Sequence, residues 1–309
     1  MLKELSTLKP PRITGVFAPI PTPFGPAEDI NYDGLRANLA WWGGTDLAGV
    51  VVLGSNGEFV YLTPDEKTRL VAEVREHLPA DKMVIAGTGC ETTRATIELS
   101  RGAAAQGAAA CLVLTPHYYR GNMTPAALKK HFFAVAEECP VPVMLYNMPR
   151  NTGLNMAPDL VIELAAHPNI VGLKDSSGNI VQISEIAAAT GEGFSVFAGS
   201  GSFLLPTLVM GGVGGTLAVA NIMPDQCVAI IDLFNTGRLV EARAAQQRLL
   251  APNQAVTSRW GVPGLKAALD LMGRYGGPVR RPLLPLPDTE RGVLAAVLTA
   301  AGVELDGQD

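Results

Sequence analysis

NIVGLKDSSGN, residues 169–179, contains a short apolar run, Ile170, Val171 and Leu173, closed by Lys174 and followed by the turn residues Asp175, Ser176, Ser177 and Gly178. A run of this kind reads as a buried strand. A lysine at its carboxyl end faces desolvation, which disfavours the ammonium and lowers the pKa. A partly neutral amine attacks carbonyls and forms a Schiff base. The plainer alternative is the solvated end of a strand, and the surrounding chain decides between the two.

Working outward, strand-then-helix units repeat on both sides. Upstream, strands are expected at 15–20, 49–53, 83–86, 110–114 and 141–145, with helices at 31–42, from Thr63, at 92–106 and from Thr124. Thr63, Pro64 and Glu66 make a capping box with proline in the first turn. A helix at 158–167 leads into the strand that ends at Lys174. Beyond it come a helix at 180–189, a strand at 195–198, a short helix at 203–210 and a strand at 215–219. Eight such units with no Gly/Ser linker predict an α/β fold, a closed (β/α)8 TIM barrel. A doubly wound open sheet is the alternative, but no GxGxxG follows the first strand.

From Pro224 onward only helices are expected, at 225–236, 239–250, 261–275 and 288–301. One completes the barrel and the others form a C-terminal helical extension. The expected division is 1–224 for the barrel core and 225–309 for the helical region.

The 309 residues suit a single barrel, and 48% hydrophobic with 17% charged residues describes a compact chain. A net charge of -5 and no basic run argue against nucleic acid as a partner. Cys90, Cys111, Cys139 and Cys227 stand singly, without zinc spacing, so reduced and mostly buried thiols, and no metal or other cofactor, are expected. Residues 1–15 lack the apolar core of a secretory signal, and no run is long enough to span a membrane. A cytoplasmic enzyme acting on a small molecule is the resulting expectation.

In a (β/α)8 barrel the chemistry lies where the strands' carboxyl ends meet the following loops. Ser55 and Asn56 sit there after strand two, Tyr146 after strand five and Lys174 after strand six. Strands five and six are neighbours, so Tyr146 and Lys174 can face one site. Carbinolamine formation and dehydration both move protons, and a tyrosine hydroxyl beside the amine can carry them. Read alone, Tyr146 is equally a strand aromatic with a wet tip. The GSNGE turn at 54–58 offers hydroxyl, amide and backbone donors that can cradle a carboxylate, although the same residues also make an ordinary turn.

GSNGE at 54–58, TPHYYRG at 115–121, YNMPRNTG at 146–153 and GLKDSSG at 172–178 resemble the signature segments of the dihydrodipicolinate synthase/N-acetylneuraminate lyase family, in family order. GTGCETT at 87–93, HPNIVGLKDSSG at 167–178 and WGVPGLK at 260–266 are most similar to its 4-hydroxy-2-oxoglutarate aldolase branch. The resemblance implies a metal-free class I aldolase that holds pyruvate as an imine on Lys174, with Tyr146 as proton shuttle. Ser55 and Asn56 would hold the pyruvyl carboxylate. Tyr119 would reach into a neighbouring subunit, which implies a homotetramer built as a dimer of dimers.

Two departures bear on the substrate, a short 2-oxo acid by this resemblance. The synthase branch carries an arginine where this chain has Asn151, with Arg150 one residue out of register. The acidic pair of the sialic acid lyases is missing from 198–203. The expectation is therefore cleavage of 4-hydroxy-2-oxoglutarate to pyruvate and glyoxylate. The distal carboxylate would be met by Ser176, Ser177 and the N–H groups near Gly178. The alternatives are the synthase reaction of pyruvate with aspartate semialdehyde, a sugar-acid dehydratase or aldolase, and a non-catalytic binding barrel.

Overall fold

Residues 12–306 are described by the computed structural model, so most of the stretch read for a secretory signal lies outside them. The strands are β1 (Gly15–Pro19), β2 (Gly49–Val52), β3 (Met83–Gly87), β4 (Ala110–Leu114), β5 (Val143–Asn147), β6 (Ile170–Asp175), β7 (Ser195–Ala198) and β8 (Gly214–Thr216). They form one closed, all-parallel barrel in sequence order, β8 pairing back onto β1. A Cβ on Gly214 would lie 2.1 Å from the Gly15 carbonyl oxygen, so the closing seam requires a residue without a side chain.

Side chains alternate across the sheet. In β2, Val51 joins Phe17, Ile85, Met144 and Phe197 inside the barrel, while Val50 and Val52 face the surrounding helices. The helices are α1 (Tyr32–Gly43), α2 (Pro64–His77), α3 (Thr93–Ala105), α4 (Pro125–Glu138), α5 (Pro149–Thr152), α6 (Pro158–Ala165), α7 (Ile180–Thr190), α8 (Leu204–Val209), α9 (Pro224–Asn235), α10 (Leu239–Gln254), α11 (Gly261–Leu271) and α12 (Asp288–Ala300). The Thr63 capping box at α2 forms as expected, both of its hydrogen bonds being present. The α9 helix packs on β1 and α8 and closes the outer ring; α11 and α12 follow the barrel as extra helices.

Several boundaries differ from expectation for identifiable reasons. Strand five begins two residues late, at Val143, because Pro142 has no N–H to give the ladder. The eighth strand stops at Thr216, and the chain turns into a 3₁₀ segment whose Asn221 donates to the Pro19 carbonyl, 3.0 Å. The α10 helix runs through Pro252, and a π-helical turn at Ala255–Arg259 follows at once. Asn253 in that stretch is buried and ties the loop after β7 down, accepting from Gly201 N at 3.1 Å and donating to Ser202 Oγ at 2.8 Å. Helix α11 ends at Leu271, short of 275, and the chain then folds back with Asp270 accepting from Gly276 and Gly277 N–H groups.

Candidate active site at the mouth of the barrel

Lys174 faces the barrel interior because β6 carries a bulge. Val143 pairs with Ile170, but Met144 pairs with Gly172, which leaves Val171 as an extra residue. Simple alternation from the outward-facing Ile170 would turn Lys174 outward as well. The extra residue reverses the parity, so Leu173 packs outside and Lys174 points in beside Tyr146, its ladder partner. Lys174 is 4% exposed and its Nζ lies 4.2 Å from the centre of the Tyr146 ring.

Burial pushes the Tyr146 phenol up. The Lys174 charge and hydrogen bonding with Ser55, Ser176 and Lys174 outweigh this, and the net direction is down. A phenol held so is prepared to give and take protons next to an amine.

The strand end is fixed from behind by a buried polar network that the sequence reading did not find. Asp175 Oδ2 accepts from Asn147 Nδ2 at 2.9 Å and Gln182 Nε2 at 2.8 Å, and Oδ1 accepts from the Ser177 N–H at 2.7 Å. Asn155 bridges Asn147 and Gln182. Asn147, Asn155, Asp175 and Gln182 come from four separate segments, so no local pattern announces their meeting.

A cavity of roughly 380 Å³ opens above this floor. Ser55, Glu58, His117, Tyr146, Asn151 and Thr152 are on its wall, with Phe59, Leu112, Leu114, Val262 and Leu283 supplying apolar surface. Lys174, Asn56, Ser176 and Tyr119 lie outside that wall. Lys174 sits against the Tyr146 ring. Ser176 approaches the Gly199 carbonyl at 3.5 Å, and a Cβ on Gly199 would meet its hydroxyl at 2.0 Å.

The Asn56 side-chain amide donates to the Pro19 carbonyl, 3.3 Å, so an anion at this turn would meet Ser55 and the backbone donors before the Asn56 amide. Tyr119 is 70% exposed and lies edge-on to Tyr118, ring centres 5.1 Å apart. Asn151 lies on α5, while Arg150 is directed to the Ser258 carbonyl, 3.3 Å, so the one-residue offset does send it elsewhere.

His117 was not singled out from sequence. Glu91 accepts from the His117 and Tyr118 backbone N–H groups at 3.0 and 2.9 Å and lies 3.0 Å from His117 Nδ1, fixing this loop at the cavity rim.

The turn carrying Ser55 is bracketed by two non-glycine residues in the left-handed region, Leu53 at φ 61° and Glu58 at φ 55°. Each costs about 1 kcal/mol or more and persists only where the surroundings impose it. Thr22 Oγ1 donates to the Gly57 carbonyl at 2.7 Å. Glu58 Oε1 lies 2.6 Å from Lys266 Nζ, both side chains being 1% exposed, and Oε2 accepts from the Arg280 N–H at 2.8 Å. Lys266 also donates to the Pro278 carbonyl, 2.8 Å. Lys266 and Arg280 both stack on the Phe24 ring. Burial lowers the Lys266 ammonium, and Glu58 opposes that shift.

Among the described residues no group of three His, Cys, Asp or Glu is placed to hold a metal ion, and no helix is long and apolar enough to cross a membrane. Cys111, Cys139 and Cys227 are buried and Cys90 is half-buried; all four are free thiols.

Residues 12–301 match the family model described as the dihydrodipicolinate synthetase family. The chain is 36% identical, over 96% of its length and 97% of the relative's, to a protein of Emericella nidulans named probable 4-hydroxy-2-oxoglutarate aldolase, mitochondrial. It is 40% identical to the L-threo-3-deoxy-hexylosonate aldolase of Hypocrea jecorina, covering 89% of this chain and 92% of that one. Against the 4-hydroxy-tetrahydrodipicolinate synthase of Methanothrix thermoacetophila it is 37% identical, covering 92% and 96%. Further relatives of similar length carry the synthase name, so the comparisons do not single out the aldolase branch. A crystal structure of an E. coli K12 prophage protein of the dihydrodipicolinic acid synthase family, in complex with pyruvate, superposes with a TM-score of 0.89 at 29% identity, covering 94% of this chain and 99% of that one.

Proposed function

This chain belongs to the dihydrodipicolinate synthetase family, which makes it a Schiff-base lyase or aldolase, and from that premise we propose that it cleaves a short 4-hydroxy-2-oxo acid through a pyruvate imine on Lys174. The observation that carries the reading is the inward Lys174 paired in the ladder with Tyr146. The Lys174 amine adds to the C2 carbonyl, and the carbinolamine hydroxyl leaves as water with the Tyr146 proton, giving a protonated imine and the Tyr146 phenolate. Tyr146 takes the C4 hydroxyl proton, the C3–C4 bond breaks, and its electron pair moves into the imine as the aldehyde departs. The resulting enamine is protonated at C3, and hydrolysis frees pyruvate and the amine. Charge at the imine nitrogen is stabilised by dipoles already in place, the larger part of such catalysis.

The substrate proposed is 4-hydroxy-2-oxoglutarate, split to pyruvate and glyoxylate. The cavity supports it: Asn151 stands on the wall where a guanidinium fork for a larger acidic aldehyde is expected, and Arg150 points away. The Ser176 hydroxyl is the proposed partner of the distal carboxylate; the Ser176, Ser177 and Asn179 N–H groups, expected to share that task, are instead given to the Asn147 carbonyl at 2.8 Å, Asp175 Oδ1 at 2.7 Å and Ser177 Oγ at 3.1 Å. The second reading is condensation of pyruvate with aspartate semialdehyde, favoured by the names that most of the relatives carry. Tyr119, exposed in the single chain, is proposed to complete the site of a neighbouring subunit in a homotetramer.

Borohydride added with pyruvate, followed by peptide mapping, is expected to place an adduct on Lys174; its absence there would end the imine reading. A substrate panel with glyoxylate readout then separates the two reactions. Efficient semialdehyde condensation with negligible 4-hydroxy-2-oxoglutarate cleavage would select the synthase.

A further inference from the structure

The Ser55 turn has no ladder to hold it, yet Leu53 and Glu58 at its ends are both in a left-handed conformation. What opposes its relaxation is long-range. Glu58 is pinned by Lys266 on α11 and by the Arg280 N–H on the segment after it. Neither contact touches the Lys174 floor. A buried carboxylate and ammonium 2.6 Å apart form a stiff link, because separating them leaves two desolvated charges unpaired. Glu58 itself lies on the cavity wall three residues after Ser55.

We infer that Glu58 and Lys266 are a positioning pair, through which the C-terminal extension holds the Ser55 turn in the geometry that receives the carboxylate of the 2-oxo acid. The inference rests on the pyruvate reading above and deepens it. Neither side chain takes part in bond making. Their effect is on how strongly pyruvate is held before the imine forms, and only slightly on the imine step itself, which the β5–β6 ladder positions.

The test is the pyruvate dependence of borohydride trapping on Lys174 in the full-length protein, with turnover measured alongside. Lys266→Met should raise the half-saturating pyruvate concentration by about tenfold or more, while the limiting rate changes by less than about threefold. Glu58→Gln keeps the shape and an acceptor for the Arg280 N–H and should shift in the same direction, and it serves where Lys266→Met fails to fold. The double variant Glu58→Gln/Lys266→Met leaves no charge buried alone. It should fold, and should still bind pyruvate weakly.

Arg281→Ala removes an exposed contact of the same extension, to Glu28, and should leave the pyruvate dependence as in the wild type. Half-saturation within twofold of wild type in the Lys266 and Glu58 variants would overturn the inference, as would an equal shift in Arg281→Ala, which would indicate general loosening. A wild-type protein that traps no pyruvate overturns the functional reading and this inference with it.

Discussion

Lys174 and Tyr146 are partners in one ladder, on adjacent strands of a closed sheet, whereas Ser55 reaches the same cavity from a turn that pairs with no strand. The first pair is placed by backbone hydrogen bonds and a bulge, both local to β5 and β6. The second is placed by groups arriving from far along the chain, the Lys266 ammonium and the Arg280 backbone N–H, the latter 222 residues from Glu58. The difference assigns separate tasks to separate supports. Chemistry that needs an amine and a phenol at fixed distance sits on the stiffest element available. On the proposed function, recognition of a small anion falls to a strained turn held by an ionic link, where small displacements should change affinity before they change reactivity.

Variants on the strand side should produce the largest effects. Lys174→Met should abolish both the borohydride adduct and turnover, with the fold retained because methionine fills the same space; residual turnover would place the nucleophile elsewhere. Tyr146→Phe should lower kcat by roughly 10²–10⁴-fold, the scale of general acid–base catalysis, while pyruvate is still held at the Ser55 turn. Tyr146 ionises below its ordinary value of 10.0, so the limb of the pH–rate profile reporting it should lie below that pH and should vanish in the variant. A limb that survives would mean another group titrates there.

Asp175→Ala tests what stands behind the floor. Asn147, Gln182 and Ser177 would each lose an acceptor, and denaturant unfolding should show a loss of about 3 kcal/mol. Its pyruvate half-saturation should move less than that of Lys266→Met, and the reverse order would merge the two supports into one.

Much of this architecture could be read from the chain alone. The eight apolar runs, the Thr63 cap and Lys174 at the end of its strand are local patterns, and local patterns survive in one dimension. The direction of Lys174 does not, since alternation from Ile170 gives the wrong face and only pairing with β5 reveals the extra residue. Glu58 and Lys266 each close a segment that carries the family resemblance, GSNGE and WGVPGLK, but their pairing is not legible there, because residues so distant in sequence carry no spacing signal. Asn56 illustrates the opposite failure: an attractive donor in a suggestive turn gives its amide to the Pro19 carbonyl. Proline usually marks the end of a helix, but Pro252 lies within one here, and Asn253 beyond it accepts from the Gly201 N–H in the loop after β7.

The seam between β8 and β1 also imposes an order of assembly. Gly214 closes on Gly15, the Trp42 indole donates to the Asn221 carbonyl, and the Tyr275 hydroxyl donates to the Phe24 carbonyl across 251 residues of chain. During synthesis the first five strands emerge well before any of these partners exists. Their contacts are of high sequence separation, so loop-closure entropy falls due before the contacts return anything. Barrel closure is therefore a late event on the folding path, and the face of Phe24 and Trp42 stays uncovered until the distal segments arrive. Those segments include Lys266, whose ammonium pairs with Glu58, and Arg280, whose backbone N–H donates to it. In a nascent chain halted before them Glu58 would lack the Lys266 ammonium and the Arg280 N–H, so on the proposed function the turn would reach its substrate-binding geometry only as the fold is completed.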